Sequence, residues 1–268
     1  MNRTDVAYLV NSTPAYFYIL PFHFEMLRRY APDLKWKVIL ATEVPDHPVC
    51  TTVAAKYDVE IMTLDAGRAG FLDSRGAALE SLVARYSYVF PVQEDFILER
   101  LIDGAEFEAV LREMDATPGL VSARSMPCPG PFTNALGYDG LPAWRRLDGS
   151  VDAMGFVFQA TLWKTSALLL YYSAVCARLE YYAPKATTNP SDRTRIEVKE
   201  NLAENAVGQG IFWKLSTDLQ WTHIAYARRG RQPNGVYLSP FPYRPTAIVR
   251  GTLEPWATEL ARREGFVL

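Results

Sequence analysis

Between residues 5 and 92 of this 268-residue chain, short apolar runs alternate with segments of helical periodicity. No other feature of the sequence limits the fold as much. Residues 5–11 (DVAYLVN), 36–41 (WKVILA), 59–64 (VEIMTL) and 88–92 (YVFPV) are too short for helices and nearly continuously apolar, which reads as strands buried on both faces. Between them, residues 17–30, 49–57 and 76–86 carry apolar positions at helical spacing, as at 78, 79, 82, 83 and 86. The first of these segments ends in Arg28 and Arg29, as a helix C-terminus prefers, and holds Pro21 in its first turn. Strands that alternate with helices form a parallel sheet covered on its faces, so an α/β fold is expected. Ligand sites in such folds lie beyond the carboxyl ends of the strands. Three of those ends deliver polar residues here: Asn11, Ser12 and Thr13; Thr42 and Glu43; and Gln93, Glu94 and Asp95.

The second half is less regular. Residues 106–114, 165–182 and 197–215 read as helices, and residues 119–123, 155–159 and 219–227 as strands. Residues 127–142, rich in Pro and Gly, and residues 183–195 read as loops; the tail from residue 228 is aromatic and Pro-rich. No repeat or linker divides the chain, so one domain over residues 1–268 is expected, with halves of 1–98 and 99–268. The 28 basic and 30 acidic residues leave a formal charge of −2, which excludes a general polyanion binder and argues against a nucleic-acid partner. Three widely spaced cysteines without C-x-x-C suit neither a disulfide framework nor a zinc site, and point to a reducing compartment. Polar residues interrupt the N-terminal apolar stretch and no run is long enough to span a bilayer, so a soluble, cytoplasmic protein with no integral membrane segment is expected.

The most informative segment is YVFPVQEDFIL, residues 88–98, where an apolar strand meets two adjacent acids and then turns apolar again. Acids at the end of a buried strand are costly unless paired or bound to a cation. A hard divalent ion, Mn²⁺ or Mg²⁺, takes carboxylate oxygens and keeps positions for phosphate oxygens. Asp95 ranks first as its ligand and Glu94 second. The competing reading has both acids solvated or capping the next element. Farther along, Gln159 and Trp163 in FQATLWK bring an amide and an indole together, which suits a sugar bound by planar hydrogen bonds and by an aromatic face. Trp163 would equally serve as a core anchor.

A βαβα half closed by an acidic strand end resembles the nucleotide-sugar half of GT-A glycosyltransferases. The QEDF that follows YVFPV, with QATLWK some way beyond, is similar to GT-A-like proteins of bacteria and large DNA viruses. The resemblance covers residues 5–251. It implies a GT-A-like fold, Rossmann-like and mostly parallel, in one domain with a nucleotide half and an acceptor half. The chain departs from the family in having Gln93-Glu94-Asp95 where many members have D-x-D. The resemblance further implies a nucleotide-sugar donor, expected as UDP-linked, and a metal held by Asp95 and Glu94. Asn11, Ser12, Thr13, Thr42, Glu43 and Gln93 would lie around the nucleotide. Asp73 and Arg75, ahead of the helix that precedes the motif, would touch base, ribose or sugar, with an N-cap role open for Asp73-Ser74. Gln159 and Trp163 would meet the donor sugar or a glycan acceptor. Glu197, then Glu200, would be the general base of an inverting enzyme, unless these glutamates with Glu204 form a solvated helix face. His223 would be a further metal ligand or a packed residue, and Arg228, Arg229 and Arg231 a diphosphate clamp or a surface cluster.

The expectation is therefore a metal-assisted glycosyltransferase of the hexosyl- or deoxyhexosyl-transfer class, acting in glycan biosynthesis. Two alternatives stand. A nucleotidyltransferase shares the sheet and the acids, but NSTPAYFY after the first strand has no glycine. A non-catalytic carbohydrate-binding module on a decayed transferase fold would bind glycan without nucleotide or metal. The absence of G-x-S-x-G and G-x-G-x-x-G weighs against triad hydrolases and NAD enzymes.

Overall fold

The computed structural model describes residues 3–68, 71–127, 137–152, 154–186, 203–204, 206–228, 235–244, 246–249 and 251–268, side chains of 68 and 179–186 excepted. Its first half alternates as expected: β1 (Val6–Asn11), α1 (Leu20–Tyr30), β2 (Lys37–Thr42), α2 (Pro48–Tyr57), β3 (Glu60–Thr63), α3 (Phe71–Leu82) and β4 (Tyr88–Gln93). The second half follows with α4 (Gly104–Ala116), β5 (Leu120–Arg124), β6 (Gly137–Tyr138), β7 (Leu141–Arg146), β8 (Thr161–Lys164), α5 (Thr165–Ala186), α6 (Ala206–Asp218) and β9 (Thr222–Tyr226). A small hairpin, β10 (Ile248–Val249) with β11 (Thr252–Leu253), precedes α7 (Pro255–Arg263).

One sheet of nine strands runs in the order β3-β2-β1-β4-β8-β5-β9-β7-β6. The pairs β2–β3, β1–β2, β1–β4 and β5–β9 are parallel. The short β8 is antiparallel to both β4 and β5, so β9 runs in the same direction as β1 to β4. The chain is thus a mixed α/β protein built on a large, mostly parallel central sheet flanked by helices. No helix among the described residues is long and apolar enough to cross a membrane.

All six residues of β1 are buried, as its continuous apolarity requires. Alternation sends Val6, Tyr8 and Val10 to one face and Ala7 and Leu9 to the other. On the first face they join Phe22, Phe24, Trp36, Phe90 and Phe107; on the second they join Leu79, Phe156, Trp163, Tyr171 and Phe212.

Several elements differ from the sequence reading. Residues 155–159 form no strand, with bends at 155 and 158–160, and the strand is Thr161–Lys164. The cause is tertiary: the side-chain amide of Gln209 accepts from the Gly155 and Phe156 amides and donates to the Phe156 carbonyl, capturing backbone groups that a sheet would otherwise use. Where a loop over 127–142 was expected, residues 137–146 form a hairpin that pairs with β9. The helix expected at 76–86 starts at Phe71, because Leu72 and Ser74 are buried on its inner face, and it ends at Leu82. Pro21 does not disturb α1: a residue without an N–H belongs in the first turn, where that N–H would have no partner.

Candidate functional site

The carboxyl ends of β1, β2 and β4 open into one cleft of about 700 Å³. Its floor is a turn. The Phe96 amide donates to the Gln93 carbonyl at 3.0 Å, which places Glu94 and Asp95 in the two central positions of a tight reversal directly after β4. Phe96, Ile97 and Leu98 are buried behind them and hold the turn in place. Both acids are buried as well, at 8% and 6% exposure.

Ser12 Oγ donates to Glu94 Oε1 at 3.2 Å, and the Ile248 amide donates to Asp95 Oδ2 at 3.2 Å. Asp95 Oδ1 is buried with no hydrogen-bond partner among the described residues. Burial pushes the Glu94 carboxyl up to about 7; Asp95 beside it adds to the rise, and Arg75 and Ser12 oppose it. Burial likewise raises Asp95 to about 6 against its backbone donors. An acceptor-only oxygen left without a donor at a cleft floor fits a divalent cation. Among the described residues no group of three His, Cys, Asp or Glu forms here. Such an ion would rest on Asp95 and Glu94, with ligand oxygens and water completing its shell.

The walls bring together most of the residues expected from the sequence. Asn11, Ser12, Thr13, Glu43, Arg75, Gln93, Glu94 and Asp95 all line the cleft. Thr42 does not: it is fully buried and its hydroxyl accepts from the Val44 amide at 3.3 Å. Asp73 is exposed and does not line it either, whereas Ser74 does. Both Asp73 and Arg75 lie within α3 rather than ahead of it, because the helix starts at Phe71. The Arg75 guanidinium lies over the Phe71 ring, 3.6 Å from its centre, and donates to the Phe71 carbonyl at 3.2 Å.

A narrow annex continues from Asn11, Arg75 and Gln93 to Phe158, Gln159, Trp163 and Tyr172. Gln159 accepts from the Tyr243 hydroxyl at 2.7 Å. Trp163 is a core residue, 2% exposed and packed among Phe156, Phe212 and His223.

His223 is not brought to the cleft. It is buried on β9, its two ring nitrogens are each 2.8 Å from a serine hydroxyl, of Ser122 and Ser216, and burial lowers it to about 3. Glu197, Glu200, Arg229 and Arg231 lie outside the described residues; Arg228 is exposed beyond the end of β9. Glu204 is described: burial raises its carboxyl, which accepts from the Phe158 amide at 2.5 Å, next to Gln159.

The sequence reading missed Tyr16, Leu64, Phe71, Thr246, Ile248, Val249 and Gly251, which also line the cleft. The last four come from the tail, which returns across the molecule to the acids. Tyr243 stacks on Phe96 at 4.6 Å, Leu98 bridges Tyr243, and Arg244 forms a two-pronged ion pair with Glu99 at 2.6 and 3.0 Å. Thr246 and Gly251, at the two ends of this cleft-lining segment, have φ of 64° and 76°. Gly251 takes that value without strain.

Fold and cleft together define an α/β protein with a polar, acid-floored cleft at the carboxyl ends of its parallel strands. No protein-family model matches the chain and no curated protein matches it. Among solved structures it is similar to TarS of S. aureus, at 14% identity and TM-score 0.40 over 63% of this chain and 30% of TarS. TarS 1-349 in complex with UDP-GlcNAc is matched at 14% identity and TM-score 0.40, over 62% of this chain and 46% of that one. The 4-diphosphocytidyl-2C-methyl-D-erythritol synthase of Anaerococcus prevotii is matched at 12% identity and TM-score 0.41, over 65% of this chain and 76% of the synthase. The chain therefore spans less than a third of the full-length TarS structure.

Proposed function

We propose that the chain is a glycosyltransferase that moves a hexosyl or deoxyhexosyl group from a nucleotide-sugar donor, expected as UDP-linked, to a hydroxyl of a glycan acceptor. One observation carries this reading: two adjacent buried acids on the cleft floor, one of them with an oxygen that no hydrogen bond among the described residues satisfies. A nucleoside diphosphate with a divalent cation supplies what that floor lacks.

In this reading Asn11, Ser12, Thr13 and Glu43 contact base and ribose, while Arg75 reaches the diphosphate or the sugar from α3. Asp95 and Glu94 would hold Mn²⁺ or Mg²⁺, which when bound neutralises charge on the diphosphate leaving group. Gln159, in the annex, is placed to hydrogen-bond a sugar hydroxyl. If transfer inverts the anomeric centre, a carboxylate takes the acceptor hydroxyl's proton as that oxygen bonds to the anomeric carbon and the bond to the diphosphate breaks. Glu204 joins Glu197 and Glu200 as a candidate, because burial raises its proton affinity and it stands against the Phe158–Gln159 rim. Against a nucleotidyltransferase, the turn after β1 has no glycine to cradle phosphates and places Tyr16 in the cleft wall instead.

The test is thermal unfolding with UDP, GDP, CMP, TDP and UDP-sugars, each with Mn²⁺ and with EDTA. The expected result is a rise in Tm for one nucleotide that EDTA removes, since a ligand that binds only the folded state stabilises it. A folded sample that responds to none of them overturns the proposal and favours the binding-module reading.

A further inference from the structure

A second groove, of about 620 Å³, lies at the opposite edge of the sheet. Trp221 immediately precedes β9, Ser216, Thr217 and Gln220 lead into it from the end of α6, and Arg145 and Arg146 end the antiparallel β7. Because β9 runs in the same direction as β1 to β4, this is the amino-terminal edge of the parallel strands. It shares no lining residue with the acid-floored cleft.

The groove is built rather than incidental. Asp152 forms a buried two-pronged ion pair with Arg145 at 2.9 and 3.2 Å and accepts the Asp148 amide at 2.8 Å, which pins the loop between them. Gly149 of that loop lies flush on Trp213: a Cβ there would come within 2.8 Å of the indole. Gly155, next to the groove, is placed more tightly still: a Cβ there would overlap the Phe212 ring and fall 2.7 Å from the same indole. Beneath, buried Ser216 turns its Oγ inward to the Phe212 carbonyl at 2.7 Å and to His223 at 2.8 Å, and the rings of Trp213 and Trp221 stand nearly perpendicular to that imidazole, each 6.3 Å away.

The chemistry of the lining selects a ligand class. Two arginines and two aspartates line the groove, so their charges cancel and neither a polyphosphate nor a polycation is favoured. What remains is two partly exposed indoles with an amide, Gln220, and a hydroxyl, Thr217, beside them. Indole faces pack on the C–H surface of a pyranose while amide, hydroxyl and guanidinium groups take its hydroxyls. We infer that this groove is a saccharide-binding site, separate from the nucleotide cleft and able to hold a glycan without nucleotide or metal. In combination with the proposed transfer reaction it would hold a distal part of a glycan acceptor, but the binding itself does not rest on that reaction.

The experiment is a glycan array on the full chain in EDTA without nucleotide, followed by titration of the best glycan into wild type, Trp221→Ala and Gln220→Gly. Gln220 has φ of 53°, so glycine eases the backbone there while it deletes the amide, and that variant folds whatever the fate of Trp221→Ala. The expected result is binding in EDTA that weakens about tenfold or more in each variant, with the response to nucleotide and Mn²⁺ unchanged. No glycan bound by folded wild type, glycan binding untouched by both substitutions, or loss of the nucleotide response in their place would each overturn the inference. Glycan binding in EDTA that survives a silent nucleotide panel would support this site while removing the transferase reading.

Discussion

At the scale of single residues, the acids and the buried histidines set the chemistry in opposite ways. Asp95→Asn keeps the shape and the acceptor for the Ile248 amide but removes the charge that would hold a cation. It should abolish transfer and the metal-dependent rise in Tm while unfolding as a cooperative unit near the wild-type temperature; a wild-type rate would remove Asp95 from the mechanism. His223 is held neutral, lowered by burial from its ordinary 6.5 to about 3. Its unfolded form therefore takes up a proton below about 6.5 where the folded form does not, so its contribution to stability is present at neutral pH and is lost progressively as pH falls toward 3. Denaturant titrations between pH 7 and pH 4.5 should show a shallower fall for His223→Asn than for wild type. Equal slopes would contradict the burial of a neutral imidazole. His223 has no part in the cleft because it is buried on β9 and both its nitrogens are already engaged by serines.

At the scale of elements, the returning tail completes the cleft. Arg244 holds Glu99, whose side chain is 1% exposed, and the cleft-lining segment from Thr246 follows directly. Removing one partner of a buried ion pair leaves a buried charge and costs about 3–5 kcal/mol, whereas replacing both with apolar groups is often near neutral. Because Arg244 is partly exposed, Arg244→Leu should lower stability by less than that, about 1–3 kcal/mol, and weaken the nucleotide response. Glu99→Leu combined with Arg244→Leu should recover most of the stability, as a double-mutant cycle in denaturant would measure. A second element-level test concerns α4, whose N-cap Asp103 accepts from the Glu106 amide at 3.0 Å. Asp103→Ala should cost about 1 kcal/mol of unfolding free energy with no effect on ligand binding.

At the scale of the whole molecule, a core on each side of one sheet ties the two halves together. In the first of these cores Phe90 on β4 meets Trp36, Phe107 and Phe241 of the tail, with ring centres 5.0 to 5.6 Å apart. Phe90→Ala should cost about 3–5 kcal/mol by opening a cavity at that junction, read as a lowered denaturant midpoint with a single transition. The tail is bound into this core as firmly as it is bound to the site: Tyr8 packs on Phe241, and Phe22 on Phe266.

How much of this was legible beforehand follows from the range of the forces involved. Strands β1 to β4, the parallel sense of the sheet's first half, and seven of the cleft residues were readable from local signals, since a strand buried on both faces has to be continuously apolar and its polar end lies toward the cleft, although Thr42 turns inward; Arg75 was named only through the family resemblance. The misplaced strand near residue 159, the early start of α3, the four tail residues in the cleft wall and the retirement of His223 and Trp163 into the core were decided only in three dimensions. Three of these depend on a partner far away in sequence: Gln209 for the bends, Asp95 for the tail hairpin, Ser122 for the histidine. Periodicity records which side of an element faces inward; it carries no record of which distant group will satisfy a given hydrogen bond, and in this protein those bonds determine which of the candidate residues reach the cleft.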